Sequence, residues 1–403
     1  MFFIKLLIAK FNTMKDEKLN VVEEIPVDLN PDVMKWLRKI SGYSIEEVAD
    51  KLKIETEELE LMEEGKIKPS FTLIKELSKL YKVPVAAFFL PKPREIFVPK
   101  DYRFIHGREG EFNRETLLVF RKVRGLQKVA KELLENLEYS AEPRIMNATL
   151  RDDPDKVAEK YREEFELSEY KQIEELKDAP SLFRYLRHRI EELNVFVFQY
   201  GMPVEDARGF TLIDDYPAII TINSRDQYKP RIFTLMHEFG HILLGESAVD
   251  MPNIAVPTKN RVEKWCNEFA ASFLLPKDIA IRVFENHRSS LTRVKTLNKL
   301  SARYKVSKHM LLYTMLKLDY ISKKEYDTAL EKIKIKSSTP KKKSGGPKPE
   351  VRILSELGEK YLALVIQNYR NNLIPYSAAL EAIPSAKTRT FNKLVEQVGG
   401  VWR

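Results

Sequence analysis

His237-Glu238-Phe239-Gly240-His241 constrains this chain more than any other run, because the pattern has chemical meaning only on a helix. Residues four apart lie one above the other on the same helix face, so both imidazoles can reach a single ion. Glu238 sits beside the first of them, where its carboxylate can take a proton from a metal-bound water. An ion of the zinc type held by three protein ligands lowers the pKa of that water to about 7. The implied chemistry is hydrolysis of a peptide bond. The surrounding run, Arg231 to Leu244, carries Ile232, Phe233, Leu235, Met236, Phe239, Ile242, Leu243 and Leu244 on most sides of the helix. Such a helix is buried. Histidine and glutamate inside it need partners, since unpaired buried charge is costly, and one divalent ion, zinc or manganese, satisfies them together.

The third ligand comes from elsewhere, and the best segment is Arg261 to Pro276. Val262, Cys266, Phe269, Ala270 and Phe273 form its inner stripe at helical spacing. At about 100° per residue, Glu263 and Asn267 flank that stripe while Glu268 points almost directly away. Glu263 is therefore the expected ligand, with Glu268 as the fallback. Asn267, one turn later on the same side, is placed to hold a ligand histidine from behind. The small residues Cys266, Ala270 and Ala271 predict a close approach between the two helices. A stabiliser for the developing negative charge is also needed; Tyr228, Arg208 and His287 are candidates, and their spacing does not choose among them.

Arg208-Gly209-Phe210, then Pro217 to Asn223, then the His-bearing helix and the E-x-x-x-N-x-F-A-A-x-x-L-L-P run from Glu263 resemble the ImmA/IrrE metallopeptidase family over about residues 190–280. The resemblance implies a zinc-type protease that cuts a partner transcriptional repressor and so switches on mobile-element or DNA-damage genes. By matching position it implies that His237, His241 and Glu263 are metal ligands and Glu238 the catalytic glutamate.

Residues 30–92 read as four or five short helices broken at Gly42, Gly65 and Pro69, with Ser44 and Glu47 in the pattern of a capping box. Together with the closing F-F-L-P-x-P and Asp101-Tyr102-Arg103, they resemble the Xre-type helix-turn-helix domain. The segment that would enter the major groove, about Thr56 to Glu64, carries Glu57, Glu58, Glu60, Glu63 and Glu64. Contact with phosphate supplies most non-specific DNA affinity, and glutamates forfeit it. Docking to protein is the reading preferred for this domain, for instance onto the helix-turn-helix of the repressor it delivers to the protease.

The formal charge of +9 is unevenly spread. After residue 280 there are about 25 Lys and Arg against about 10 Asp and Glu, which points to an anionic partner such as DNA for the basic C-terminal third. Leu297 to Lys317 has the rhythm of a second helix-turn-helix, turning at Val306-Ser307 and presenting Lys308, His309 and Tyr313. Apolar runs at Val195 to Gln199, Phe210 to Ile213 and Ala218 to Ile222 predict a small sheet beside the His helix. One of its edge strands would grip an extended peptide by strand addition. Upstream, Leu117 to Leu137, Pro154 to Phe165 and Ser181 to Leu193 are helical in period.

The expected fold is α+β and mostly helical. Residues 1–29 form an N-terminal extension, 30–92 the helix-turn-helix bundle and 93–190 a helical connecting region. The zincin-like peptidase core spans 191–280, a helix-turn-helix-like region 281–335, a flexible basic linker 336–349 and a C-terminal helical segment 350–403. With one cysteine there is no intrachain disulfide framework. The opening MFFIKLLIAKF is too short to span a bilayer, so a cytoplasmic protein without a membrane partner is expected. Its function is read as metal-dependent cleavage of one specific repressor. The alternative is a DNA- or protein-binding transcriptional regulator, of mobile-element or antitoxin type, that uses the peptidase fold as a scaffold.

Overall fold

The computed structural model describes residues 26–93, 112–245, 249–250, 260–334 and 346–398. Most of the N-terminal extension, the Asp101–Arg103 run and linker residues 336–345 lie outside them. The chain forms two compact units, Met1–Phe97 and Val98–Arg403. No described helix is long and apolar enough to cross a membrane.

The first unit is a bundle of short helices: α1 (Pro31–Ile40), α2 (Ile45–Leu52), α3 (Thr56–Glu63), α4 (Phe71–Tyr81) and a 3₁₀ turn at Val85–Phe89. Its starts are written in the sequence. Asn30 accepts from the Asp32 amide ahead of Pro31, Ser44 and Glu47 form the expected capping box, and Ser70 accepts from the Leu73 amide. Val33, Leu37, Val48, Leu59, Leu77 and Phe88 fill the core. Glu57, Glu58, Glu60 and Glu64 are exposed on or beside α3. Glu63 corrects the sequence reading: it turns inward and takes a two-pronged ion pair from Arg38 at 2.7 and 2.8 Å. Arg38 also reaches the Tyr43 carbonyl at 3.0 Å, so this charge clamps the bundle instead of facing solvent.

The second unit is built on a four-stranded sheet, β1 (Phe196–Tyr200), β2 (Gly209–Leu212), β3 (Ile219–Asn223) and β4 (Val249–Asp250), in the order β1-β3-β2-β4. β1 runs parallel to β3, while β2 is antiparallel to both β3 and β4. Strand alternation sorts the side chains between two cores. Val197, Ile220 and Ile222 face one, with α6 (Pro154–Glu164), α7 (Ala179–Glu192), α8 (Tyr228–Leu244) and α9 (Arg261–Leu274). Phe196, Phe198, Phe210, Leu212 and Ile219 face the other, with α5 (Arg114–Asn136) and residues 353–398. Both faces are covered, which explains why β1 and β3 are nearly continuous apolar runs.

The C-terminal segment, in which the sequence offers no chemistry, is therefore one wall of the sheet. It comprises α14 (Pro349–Arg370, broken at Gly358), α15 (Tyr376–Ala382) and α16 (Thr388–Val398). Between the walls in sequence lie α10 (Lys277–Glu285), α11 (Val294–Tyr304), α12 (Lys308–Lys317) and α13 (Lys323–Lys334), which share the core of α8 and α9. Buried polar groups tie them in. Gln172 donates to the carbonyls of Leu274 and Tyr304 at 3.0 Å, and Lys305 donates to those of Gln172 and Ile173 at 2.8 Å.

That packing corrects one expectation. α11 and α12 do turn at Val306-Ser307, with Ser307 capping α12. Met310, Leu311, Leu312, Tyr313, Thr314 and Met315 are all buried, however, and Lys317 is paired with Asp155 at 2.7 Å. A helix buried through its centre cannot lie in a major groove. The helices and the turn between them are present, but the apolar positions surround α12 instead of lining one side.

Candidate metal centre

α8 begins at Tyr228 with Pro230 in its first turn, where a missing N–H costs nothing. From Ile232 to Leu243 every residue is buried. His237 and His241 are 0 % exposed, with their Nε2 atoms 3.1 Å apart. α9 starts on Asn260, whose side chain accepts from the Val262 amide. Glu263 in its first turn reaches both rings: Oε2 is 3.3 Å from His237 Nε2 and Oε1 is 3.4 Å from His241 Nε2. Burial pushes the Glu263 carboxyl up, but the hydrogen bonds and charge of the two imidazoles outweigh it and hold the group well below the usual carboxylate range. Glu268 points elsewhere, 3.9 Å from Lys264 on its own helix.

Two nitrogens and a carboxylate oxygen converging in this way are a donor set for a divalent ion. Ligand atoms bound at about 2.0–2.1 Å to a tetrahedral ion stand about 3.3 Å apart. The two imidazole nitrogens stand at about that separation, 3.1 Å, and each has a different oxygen of Glu263 beside it, at 3.3 and 3.4 Å. The residues fit the ion that the sequence pattern implies.

The helices reach this geometry because Gly240 faces Cys266. A Cβ at position 240 would stand 3.2–3.3 Å from the Cys266 Sγ, Cα and Cβ atoms. Gly240→Val is expected to lower stability by about 1–3 kcal/mol through overpacking, read as a lowered denaturant midpoint with unchanged slope. Undiminished stability would mean that the helices can separate freely.

Glu238 is also 0 % exposed and is held from the sheet. Thr211 Oγ1 on β2 donates to its Oε2 at 2.5 Å. Gly209, two residues earlier on the same strand face, brings β2 against the helix. A Cβ there would meet Thr234 Cγ2 at 2.7 Å and Glu238 Oε1 at 3.1 Å. Sequence reasoning did not find Thr211. The signal was present in the alternation of Gly209 and Thr211 with the apolar Phe210 and Leu212, which marks the first pair as facing another element.

Other candidates are placed less centrally. Asn267 is buried, but among the described residues its Oδ1 has no hydrogen-bond partner. Arg208 pairs with Asp226 at 2.6 Å, Tyr228 packs its ring on Phe183, and His287 Nδ1 lies 3.0 Å from the Val283 carbonyl. Strand addition meets a further constraint, because β4 already pairs with β2 at Gly209 and Phe210.

Residues 190–316 match the family model of the IrrE N-terminal-like domain, a peptidase family, and residues 34–88 match a helix-turn-helix model. No curated protein sequence matches the chain. The chain thus joins a helix-turn-helix domain to an IrrE-like peptidase domain. The latter match runs through α12, the helix that the core encloses.

Proposed function

We propose that this chain is a cytoplasmic, metal-dependent endopeptidase that cuts one specific partner protein, a transcriptional repressor. In this reading His237, His241 and Glu263 hold zinc or manganese and Glu238 is the general base. The observation that carries it is the convergence of three donor residues, supplied by two helices, in one place beside the buried Glu238. When bound, the ion supplies a Lewis acid that polarises a carbonyl and brings the ionisation of water toward neutral pH. Glu238, oriented by Thr211, accepts the proton of the attacking water and returns it to the leaving amine. The core around α8 keeps bulk water from the carboxylate and so strengthens these interactions.

Selectivity for a single partner is assigned to the helix-turn-helix domain. Its exposed Glu57, Glu58 and Glu60 repel phosphate and suit a basic protein surface, such as the DNA-reading face of another helix-turn-helix. The second reading, a regulator that uses the peptidase fold as a scaffold, is favoured by the helix-turn-helix match itself.

The test is to sequence the neighbouring genes for a small helix-turn-helix repressor, incubate that protein with the metal-loaded chain and read new termini by mass spectrometry. One cut, abolished by a chelator, is the expected result. Thr211→Val should slow that cut about tenfold to a hundredfold, because Glu238 loses a buried donor, with metal content unchanged and Thr211→Ser restoring the rate. An intact repressor after exposure to the loaded protein would favour the scaffold reading.

A further inference from the structure

From Asn286 to Leu318 the chain runs for 33 residues without an Asp or Glu and carries eight Lys and Arg. Contacts within the fold account for three of the eight. Lys305 is buried against backbone carbonyls, Lys317 is paired with Asp155 and Arg288 with Glu285. The other five, Arg293, Lys295, Lys299, Arg303 and Lys308, form no ion pair among the described residues.

Three of these five make a row. α11 buries Leu297, Leu300, Ser301 and Tyr304, so Lys295, Lys299 and Arg303, each four residues from the next, stand exposed along its opposite side. Each step rises about 6 Å. Only Asn298 and Ala302 are exposed between them. Across a cleft from Lys299 and Arg303 lie Glu169 and Glu174. Glu169 is already held by Arg282 and by the Tyr304 hydroxyl at 3.0 Å, and the charge of Glu174 acts on the buried Lys305 ammonium. Like charges four apart weaken a helix, and this row has no acidic residue within it to relieve them. A partner that brings negative charge does so.

The face discriminates among polyanions. It offers no apolar side chain to a lipid surface, because the apolar side of α11 is packed in the core. A folded helix holds its charges in fixed places, which suits a partner whose charges are fixed too. An acidic peptide or a single strand has to be ordered first. Duplex DNA presents one phosphate charge per about 1.7 Å of its axis. We propose that the outer face of α11 binds duplex DNA through its phosphates, without reading sequence. This contact goes beyond the proteolytic reading and does not rest on the metal centre. It also needs no helix in the major groove, so α12 stays in the core.

Fluorescence anisotropy of the full chain on a labelled duplex of arbitrary sequence, from about 50 to about 200 mM salt, tests this. The triple variant Lys295→Gln, Lys299→Gln, Arg303→Gln should bind at least tenfold more weakly at the low-salt end. Its salt slope should fall by about one for each residue replaced. The same replacements at the exposed Lys128, Lys156 and Lys160 should change affinity by less than about twofold, as a lowered net charge without a lost contact does. Because like charges are removed from one helix face, the α11 variant should melt no lower than the parent, which separates lost binding from lost fold. In competition, unlabelled duplex should displace the label more readily than the single strand, poly-glutamate or phosphatidylglycerol vesicles. A parent chain that fails to bind at low salt would overturn the proposal, as would equal losses from the control variant. Unchanged affinity and slope in the α11 variant would move the binding to the helix-turn-helix domain, and the reverse order of competitors would overturn the choice of partner.

Discussion

Glu238→Gln is expected to keep its metal and to lose cleavage of the partner by at least a hundredfold, and up to about ten-thousandfold. General-base catalysis contributes about that range, equivalent to about 3–5 kcal/mol of transition-state stabilisation. The argument rests on where the carboxylate sits. Glu238 is not among the three converging donors, so its replacement leaves the ion's ligands in place. Glutamine fills the same volume, and its amide oxygen still accepts the hydrogen bond from Thr211. Only the capacity to take a proton is removed. Because the side chain is wholly buried, neutralising it should leave the melting temperature unchanged or slightly raised. Full activity in the variant would remove Glu238 from the mechanism. Loss of metal together with activity would recast it as a structural group of the centre.

Glu263→Ala and Glu268→Ala are expected to part company in metal affinity. Glu263 supplies one of three donors and stands 3.3 and 3.4 Å from the two imidazoles. Its loss should weaken the ion more than a hundredfold, beyond the ten- to hundredfold typical of groups that merely support a ligand. Glu268 lies against Lys264, so its removal should leave affinity within about twofold, the scale of a weak surface ion pair. Competition with a chromophoric chelator, at a pH where both imidazoles are neutral, separates the two. Equal loss from both variants would show that α9 presents a different face to α8 in solution.

The helix-face geometry was legible because a helix has a fixed period. His237 and His241 had to share a face, and counting around the Arg261 segment puts Glu263 at the flank of the inner stripe and Glu268, the fallback, almost directly away from it. The structure brings Glu263, and not Glu268, beside the imidazoles. The first three strands too could be read to within a residue, because Phe196–Tyr200 and Ile219–Asn223 are buried on both faces and so mostly apolar. What could not be read depends on partners distant in sequence. Nothing local says that Glu63 meets Arg38, that Thr211 meets Glu238, or that Gly240 meets Cys266.

α12 shows the same limit in reverse. A basic, turn-preceded helix is consistent with DNA binding until the core that encloses it is known, and α9 to α11 supply that core. The C-terminal segment was opaque because its apolar residues carry no motif. Only the uncovered face of a sheet explains Tyr361, Leu362 and Val365. The consequence is practical: cutting the chain after residue 280 would strip both cores, so the role of the basic third is to be tested by charge substitution instead of truncation.

The central claim is that two helices of this chain build a metal centre, and metal content per chain tests it most directly. Untagged wild-type protein and His241→Ala are to be purified side by side and analysed for divalent ions. About one zinc or manganese per chain in the wild type and none in the variant is the predicted result, because a single lost imidazole leaves two donors where three converge. Wild-type protein that arrives without metal and fails to take up added zinc would contradict the account.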